Sequence, residues 1–265
     1  MSLRNKILSA VKIVYPRLGL YDDDVVVASF PKSGSTWLRF IWTNVICLQE
    51  MNGVEVGYTL LDGTFEAVYD VNSYGDYKYI SVPRLVKTHQ KYDKRKFGAN
   101  RTLYIYRNPG DVMVSFYEYL LSLKKKPING VDFSDFLRSK KHGIECWCKH
   151  FVSWREHATV MLSYESMKAS AEKCTINLFE KLDIKDMPKR IISEAVARAD
   201  FHNVRKIAES EKVYSLKPHW HKAGFRFARK GTVGQWKDYF SSQNKEFLHN
   251  LLQSYDLESL FPIEA

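Results

Sequence analysis

The sequence predicts an α/β fold with a central parallel sheet flanked by helices, and two observations carry this. Short runs rich in β-branched or aromatic residues alternate with longer stretches of helical periodicity, the pattern of strand–helix–strand units. The first run, Val25–Phe30 (VVVASF), is almost wholly apolar, as a central parallel strand covered on both faces requires.

The elements follow in order. The first twenty residues are interrupted by Lys6, Lys12 and Arg17 and read as an amphipathic, helical lead-in. They lack a signal peptide's unbroken apolar stretch and its small-residue cleavage site. Strand candidates after Val25–Phe30 are Arg84–Thr88, Thr102–Tyr106 and Thr159–Ser163. Helical patterns cover Thr36–Glu50, Pro109–Leu123, Ala171–Leu182 and Pro188–Ala199. Parallel strands joined by right-handed helical crossovers place helices on both faces of the sheet. Glu209–Gly231 reads as a long basic loop, a length that usually has a function.

The 265 residues, 45% of them hydrophobic, suffice for one sizeable core, and no linker or repeat divides them, so a single domain over 1–265 is expected. No apolar run reaches the roughly 18 residues of a membrane span. Four cysteines are too sparse for a disulfide framework and suit a reducing cytoplasm. The formal charge of +10 favours anionic partners without choosing among nucleic acid, a membrane surface and a phosphorylated small molecule.

The choice comes from motifs. Val25–Phe30 runs directly into Pro31, Lys32, Ser33, Gly34, Ser35, Thr36 and Trp37, where a helix begins. A strand, a tight turn and a helix N-terminus aim free backbone N–H groups and a positive dipole end at one point, an anion site. A Ser-capped helix behind an ordinary turn is the plainer alternative. The loop is not a Walker A motif, because Lys32 precedes the glycine instead of following it. A second candidate anion site is Arg107, at the end of the strand TLYIY, with Ser115 eight residues on. Pro109 and Asp111 suit the first turn of the intervening helix. A third is the basic turn Arg229, Lys230, Gly231. His89 closes the run Leu85–His89; imidazole titrates near neutrality, so a positioned histidine can contribute about 10²–10⁴-fold as a general base.

Together these segments resemble the cytosolic sulfotransferase family. FPKSGSTW resembles its 5′-phosphosulfate loop YPKSGTTW, RNPGDVMVSFY its 3′-phosphate motif RNPKDVxVSYY, and RKG followed by GQWK its RKGxxGDWK segment. Lys87-Thr88-His89 resembles the family's catalytic strand end, Ser163–Lys168 its FYEDMK segment, and Ala199-Asp200-Phe201 its Thr-Ser-Phe. The matches span residues 25–240 in the family's order. Departures are Gln235 for the family's Asp, and Ala199 and Asp200 for its two hydroxyl residues.

The resemblance implies a P-loop-like three-layer sandwich. It implies 3′-phosphoadenosine 5′-phosphosulfate (PAPS) as donor, 3′-phosphoadenosine 5′-phosphate (PAP) as product, and no metal. Lys32, Ser33, Gly34, Ser35 and Thr36 would hold the 5′-phosphosulfate; Trp37, Tyr164 and Phe201 the adenine; Arg107, Ser115, Arg229, Lys230 and Gly231 the 3′-phosphate. His89 would take the acceptor's proton in an in-line displacement, with Lys32 and Lys87 offsetting developing negative charge. Expected partners are a small-molecule or carbohydrate acceptor, with no nucleic acid and no membrane.

Two rival functions are a nucleotide-dependent kinase and a basic nucleic-acid-binding protein. The first lacks the Walker lysine and a metal-binding Asp segment, and the second would spread its cations over a surface. The acceptor is open between hydroxyl and amine. Its pocket is expected from residues 49–82, with Phe65, Tyr69, Tyr74, Tyr77 and Tyr79, from residues 116–126, and from residues 212–229. His142, Cys146 and His150 have a zinc-like helical spacing, but Gly143 interrupts it and the neighbours read as packing residues. At Lys237–Glu246, Ser241 and Ser242 stand where a family dimer motif has Thr-Val, which argues against that dimer and leaves oligomeric state open.

Overall fold

The computed structural model describes residues 20–58, 60–61, 66–67, 80–123, 128, 130–210 and 231–263. Five parallel strands form one sheet in the order β2-β3-β1-β4-β5. They are β1 (Val25–Ser29), β2 (Glu66–Ala67), β3 (Leu85–Thr88), β4 (Arg101–Tyr106) and β5 (Val160–Ser163). All four strands expected from the sequence are present, within a residue or so at each end. The two-residue edge strand β2 carries too short a pattern to be read.

Alternation along the strands sorts the core into two faces. Val25, Val27, Leu85, Leu103 and Ile105 face one side, packed by α1 (Ser35–Glu50), α7 (Ala171–Lys181), α8 (Lys189–Arg198) and α9 (Phe201–Ser210). Val26, Ala28, Val86 and Tyr104 face the other. There α3 (Pro109–Ser122), α4 (Phe133–Arg138), α5 (Ile144–Arg155) and α10 (Ser242–Ser254) close over them. The result is the three-layer sandwich expected from the sequence. Short helices α2 (Lys94–Phe97) and α6 (Tyr164–Ala169) and a 3₁₀ turn at Gln235–Asp238 complete the described elements.

Helix ends follow local chemistry. Pro109 occupies the first turn of α3, and the Asn108 side chain accepts from Gly110 N and Asp111 N. Ser241 caps α10 by accepting from Asn244 N, and Ser242, at the family's apolar position, is the first residue of that helix. α9 runs to Ser210, so the first two residues of the expected loop at Glu209–Gly231 are helical, and residues 211–230 lie outside the described ones.

The strand order positions the site. The chain leaves β1, runs out to β2, returns to β3 beside β1, then crosses to β4 and β5 on the other side. The connections that leave the neighbouring strands β1 and β4 therefore depart to opposite sides, which opens a crevice at their carboxyl ends. Ala28 pairs with Thr88 and Ser29 with Ile105, so the ends of β3, β1 and β4 are level. At the opposite end, the buried Asp24–Arg84 pair (2.8 and 2.7 Å) ties β1 to β3, well away from the crevice.

Candidate functional site

The loop after β1 is built to leave donors open. Lys32 (φ 72°) and Gly34 (φ 104°) both take positive φ, a backbone alternation that turns N–H groups into a concavity suited to anions. Gly34 is the N-cap of α1, and no side chain caps that helix. The alternative of a Ser-capped helix is therefore not what forms. A Cβ on Gly34 would stand 2.6 Å from Tyr164 Cδ2, so glycine is required both for φ and for space. Ser33 Oγ is buried with no hydrogen-bond partner among the described residues. An orphaned buried polar group costs about 1–3 kcal/mol, which a ligand oxygen would recover. Lys32 Nζ lies 4.8 Å from the Tyr119 ring, over the helix α3 that also carries Ser115.

Arg107, at the end of β4, is buried and held on two sides. Its Nη2 donates to Thr232 O at 2.6 Å and lies 3.5 Å from Asp111 Oδ2. The Tyr164 ring lies against the guanidinium, 4.5 Å from centroid to Cζ. Arg107 Nε is buried and unpartnered among the described residues, a cationic donor awaiting an acceptor. Asp111, Ser115 and Tyr119 repeat at one-turn intervals, which aligns Ser115 on the same face of α3.

The glycine-rich segment near the C-terminus docks onto these residues. Asp111 accepts from Gly234 N at 2.8 Å and Trp236 N at 3.1 Å. Tyr164 Oη donates to Gly231 O at 3.0 Å; burial raises that phenol's pKa, so the donor proton stays in place. Gly231 (φ 64°) approaches Phe201 so closely that a Cβ would stand 2.7 Å from Cε2. Arg229 and Lys230 lie outside the described residues, but Gly231 brings the chain to Arg107.

An aromatic slot lies on the other flank. Trp37, on the first turn of α1, packs edge-to-face on Tyr164 at 5.8 Å. Its Nε1 is buried and unpartnered among the described residues. Lys168 Nζ lies 5.8 Å from the Trp37 ring and 5.9 Å from the Phe201 ring. Ala199 is fully buried and Asp200 caps α9 by accepting from His202 N at 2.8 Å, so the two departures from the family's hydroxyl pair pack and cap.

His89 stands one residue beyond β3, with Nδ1 2.6 Å from Ser29 O. A carbonyl oxygen only accepts, so the neutral ring carries its proton on Nδ1 and keeps the Nε2 lone pair. Burial first, then the charge of Lys87 and, more weakly, those of His150 and Lys32, push its pKa down to about 3, against the opposing bond to Ser29. The ring is thus neutral at ordinary pH, the form a proton acceptor needs. Lys87 lies two residues back, on the same side of the strand, and pairs with Val27 in register.

The structure therefore gathers Lys32–Trp37, Lys87, His89, Arg107, Ser115, Tyr164, Phe201 and Gly231 at one end of the sheet. Asp111, which the sequence marks only as a first-turn residue, and Lys168 join them. Both stand inside quoted motifs, where their spacing to Arg107 and Tyr164 was the available signal. Of the segments expected to line the acceptor pocket, Phe116 is described, and its ring packs edge-to-face on Phe30 and on His142, both at 5.8 Å. Phe65, Tyr69, Tyr74, Tyr77, Tyr79 and Lys124–Lys126 lie outside the described residues. Gly143 is the N-cap of α5, so His142 is not on the helix that carries Cys146 and His150. Among the described residues, no group of three or more His, Cys, Asp or Glu side chains could hold a metal ion, and no helix is long and apolar enough to cross a membrane.

The sulfotransferase domain family profile matches residues 22–259. The amine sulfotransferase of Oryctolagus cuniculus is 28% identical over 246 residues, covering 88% of this chain and 80% of the relative. Sulfotransferase 1E1 of Mus musculus is 26% identical, covering 84% and 80%. In fold, the chain resembles retinol dehydratase in a complex with retinol and PAP (TM-score 0.69, 19% identity, 89% and 82% covered). It also resembles mouse sulfotransferase SULT7A1 complexed with PAP (TM-score 0.65, 21% identity, 89% and 85% covered).

Proposed function

Because the chain belongs to the sulfotransferase domain family, whose reaction is sulfuryl transfer, we propose that it moves the sulfuryl group of PAPS to a hydroxyl or amine of a small molecule, with His89 as general base. The observation that carries this reading is the convergence of an uncapped helix N-terminus, a buried guanidinium with an orphaned Nε and a neutral imidazole at one end of the sheet.

The fit to the donor rests on the orphaned buried groups Ser33 Oγ, Trp37 Nε1 and Arg107 Nε, and on the glycine cradle at Gly34. Ser33, Gly34, Ser35 and Thr36 would hold the 5′-phosphate side with backbone and hydroxyl donors. Arg107, Ser115, Arg229, Lys230 and Gly231 would hold the 3′-phosphate, Arg107 already oriented by Asp111 and Thr232. Trp37, Tyr164 and Phe201 supply apolar faces for adenine. When bound, the donor supplies an activated sulfuryl group on a phosphate leaving group.

The chain's own residues would do the rest. His89 Nε2 accepts the acceptor's proton, while Nδ1 stays bonded to Ser29 O and fixes the ring. Lys32 and Lys87 hold positive charge where negative charge develops, worth most in a site that excludes water. The aromatic contacts of Phe30, Phe116 and His142 favour an acceptor with an apolar face. Retinol and androsterone in the retinol dehydratase complexes, and the amine sulfotransferase relative, make alcohols and amines the first acceptors to try. Residues 1–265 would act as one cytoplasmic sulfotransferase domain that needs no metal.

The test is calorimetric titration of PAP into wild type and Arg107→Ala with EDTA present and ADP for comparison. Metal-independent binding that prefers PAP over ADP, and that Arg107→Ala abolishes, supports the reading. A preference for ADP with magnesium would overturn it in favour of phosphoryl transfer. A panel of alcohol, phenol and amine acceptors then ranks turnover.

A further inference from the structure

His89 lies beyond the last ladder pair of β3, since pairing to β1 stops at Thr88. Its backbone is held instead by α5, from the layer behind it. His150 Nε2 donates to His89 O at 3.2 Å, Trp154 Nε1 donates to Gln90 O at 2.9 Å, and Ser153 Oγ accepts from Tyr92 N at 3.2 Å. Residues 150, 153 and 154 share one helix face, so α5 grips three consecutive stretches of the segment after β3. Of these three α5 residues, His150 is the one bonded to His89 itself.

The protonation of His150 follows from its partners. His89 O accepts only, so the proton sits on Nε2. Nδ1 is then an acceptor, and Tyr104 Oη stands 2.9 Å away, on β4, to donate to it. Tyr104 and His150 are both buried, and the Phe30 ring packs edge-to-face on His150 at 5.7 Å. An apolar side chain would fill this space without needing two partners. A histidine with both nitrogens engaged is explained by the bond it makes to His89.

We propose that His150, oriented by Tyr104, is the positioning residue that holds the backbone of His89, and with it the ring, where Nδ1 meets Ser29 O and Nε2 faces the crevice. This rests on the reading of His89 as general base. Both histidines keep their protons in this arrangement; no proton moves between them, because His150 bonds to the His89 carbonyl and not to its ring. His150 touches no reacting atom.

The test uses the full chain labelled with ¹⁵N-histidine and needs no acceptor. Long-range ¹H–¹⁵N spectra of wild type, with His89 assigned by its loss in His89→Ala, are expected to show a protonated Nδ1 and an unprotonated Nε2. In His150→Leu, both His89 nitrogens should move toward the averaged shifts of a free, tautomerising imidazole. His150→Gln, whose amide reaches the Nε2 position and can donate to His89 O, should keep the wild-type pattern. Tyr104→Phe keeps the packing but frees the His150 tautomer, and should shift the pattern part-way even if His150→Leu does not fold. With the best acceptor of the panel, kcat should fall about tenfold or more in His150→Leu and recover in His150→Gln, with PAP affinity within about twofold throughout. Unchanged His89 signals in both His150→Leu and Tyr104→Phe, or His150→Gln as disturbed as His150→Leu, overturn the proposal. Turnover of His89→Ala separates the two claims: if it persists, the base reading fails, whereas its loss beside unmoved spectra sinks only the role of His150.

Discussion

His89 Nδ1 stands 2.6 Å from the carbonyl oxygen of Ser29, across the gap between β3 and β1. That bond places the ring proton on Nδ1, and burial beside Lys87 keeps the ring neutral, with its pKa pushed down to about 3. His150 behind it is also held neutral, to about 4, mainly by burial. Both folded values lie below the ordinary 6.5, so the unfolded chain binds more protons in acid. These two residues therefore favour folding above pH 6.5, and that contribution is lost as pH falls from 6.5 toward 4 and 3. Urea midpoints measured against pH should fall across this window, with a shallower fall in His150→Gln. Equal slopes for wild type and variant would falsify the assignment.

Bound PAP should raise the titration of His89. Its negative charges would sit near Lys87 and Lys32, two of the cations that hold the pKa down. The ¹⁵N titration midpoint of His89 is expected to be higher in the PAP complex than in the free protein. An identical midpoint would mean that the phosphates do not bind beside these lysines.

Asp111 joins Arg107 to the segment Gly231–Trp236, accepting from Gly234 N and Trp236 N while facing the guanidinium at 3.5 Å. Asp111→Ala leaves a buried cation and two N–H groups without their acceptor, a change that typically costs about 3–5 kcal/mol. We expect a large loss of stability in urea denaturation and PAP affinity lower by about tenfold or more. Asp111→Asn keeps one acceptor oxygen and should lose less. Near-wild-type stability of Asp111→Ala would show that the segment docks by other contacts.

Gly110 stands in the first turn of α3, where Ala ordinarily gains about 1 kcal/mol over Gly. Here a Cβ would lie 2.6 Å from Trp236 Cγ and 2.9 Å from its Cβ, and neither atom is the free end of a side chain. Gly110→Ala should therefore lower the melting temperature and weaken PAP binding. The same holds more strongly for Gly110→Lys, although lysine is the residue of the family motif. A higher melting temperature for Gly110→Ala would mean that Trp236 moves freely.

Gly34→Ala meets two obstacles at once, φ of 104° and Tyr164 Cδ2 at 2.6 Å from the new Cβ. Positive φ costs a non-glycine residue about 1–2 kcal/mol, and the displaced ring also touches Arg107. Calorimetry should register weaker PAP binding for Gly34→Ala than for Ser35→Ala, which keeps the backbone. Equal losses would point to the hydroxyl instead of the loop shape.

The sequence by itself determined the strands and helices that carry strong periodicity. It also determined the strand-to-helix junction at Pro31–Trp37, and the residues Lys32, His89 and Arg107 near strand ends. These are short-range properties, encoded in propensity, alternation and spacing over a few neighbouring residues. Gly34 as an uncapped helix start already required the structure, because Tyr164, 130 positions away in the chain, is what excludes a Cβ. The tertiary structure alone decided the order β2-β3-β1-β4-β5, which brings the carboxyl ends of β3, β1 and β4 side by side. It also decided the docking of Gly231–Trp236 on Asp111, 123 residues distant, and the grip of His150 on the His89 carbonyl, 61 residues distant. Such pairs leave no local pattern, since which of many polar groups meets which depends on how the whole chain closes its two core layers around the sheet.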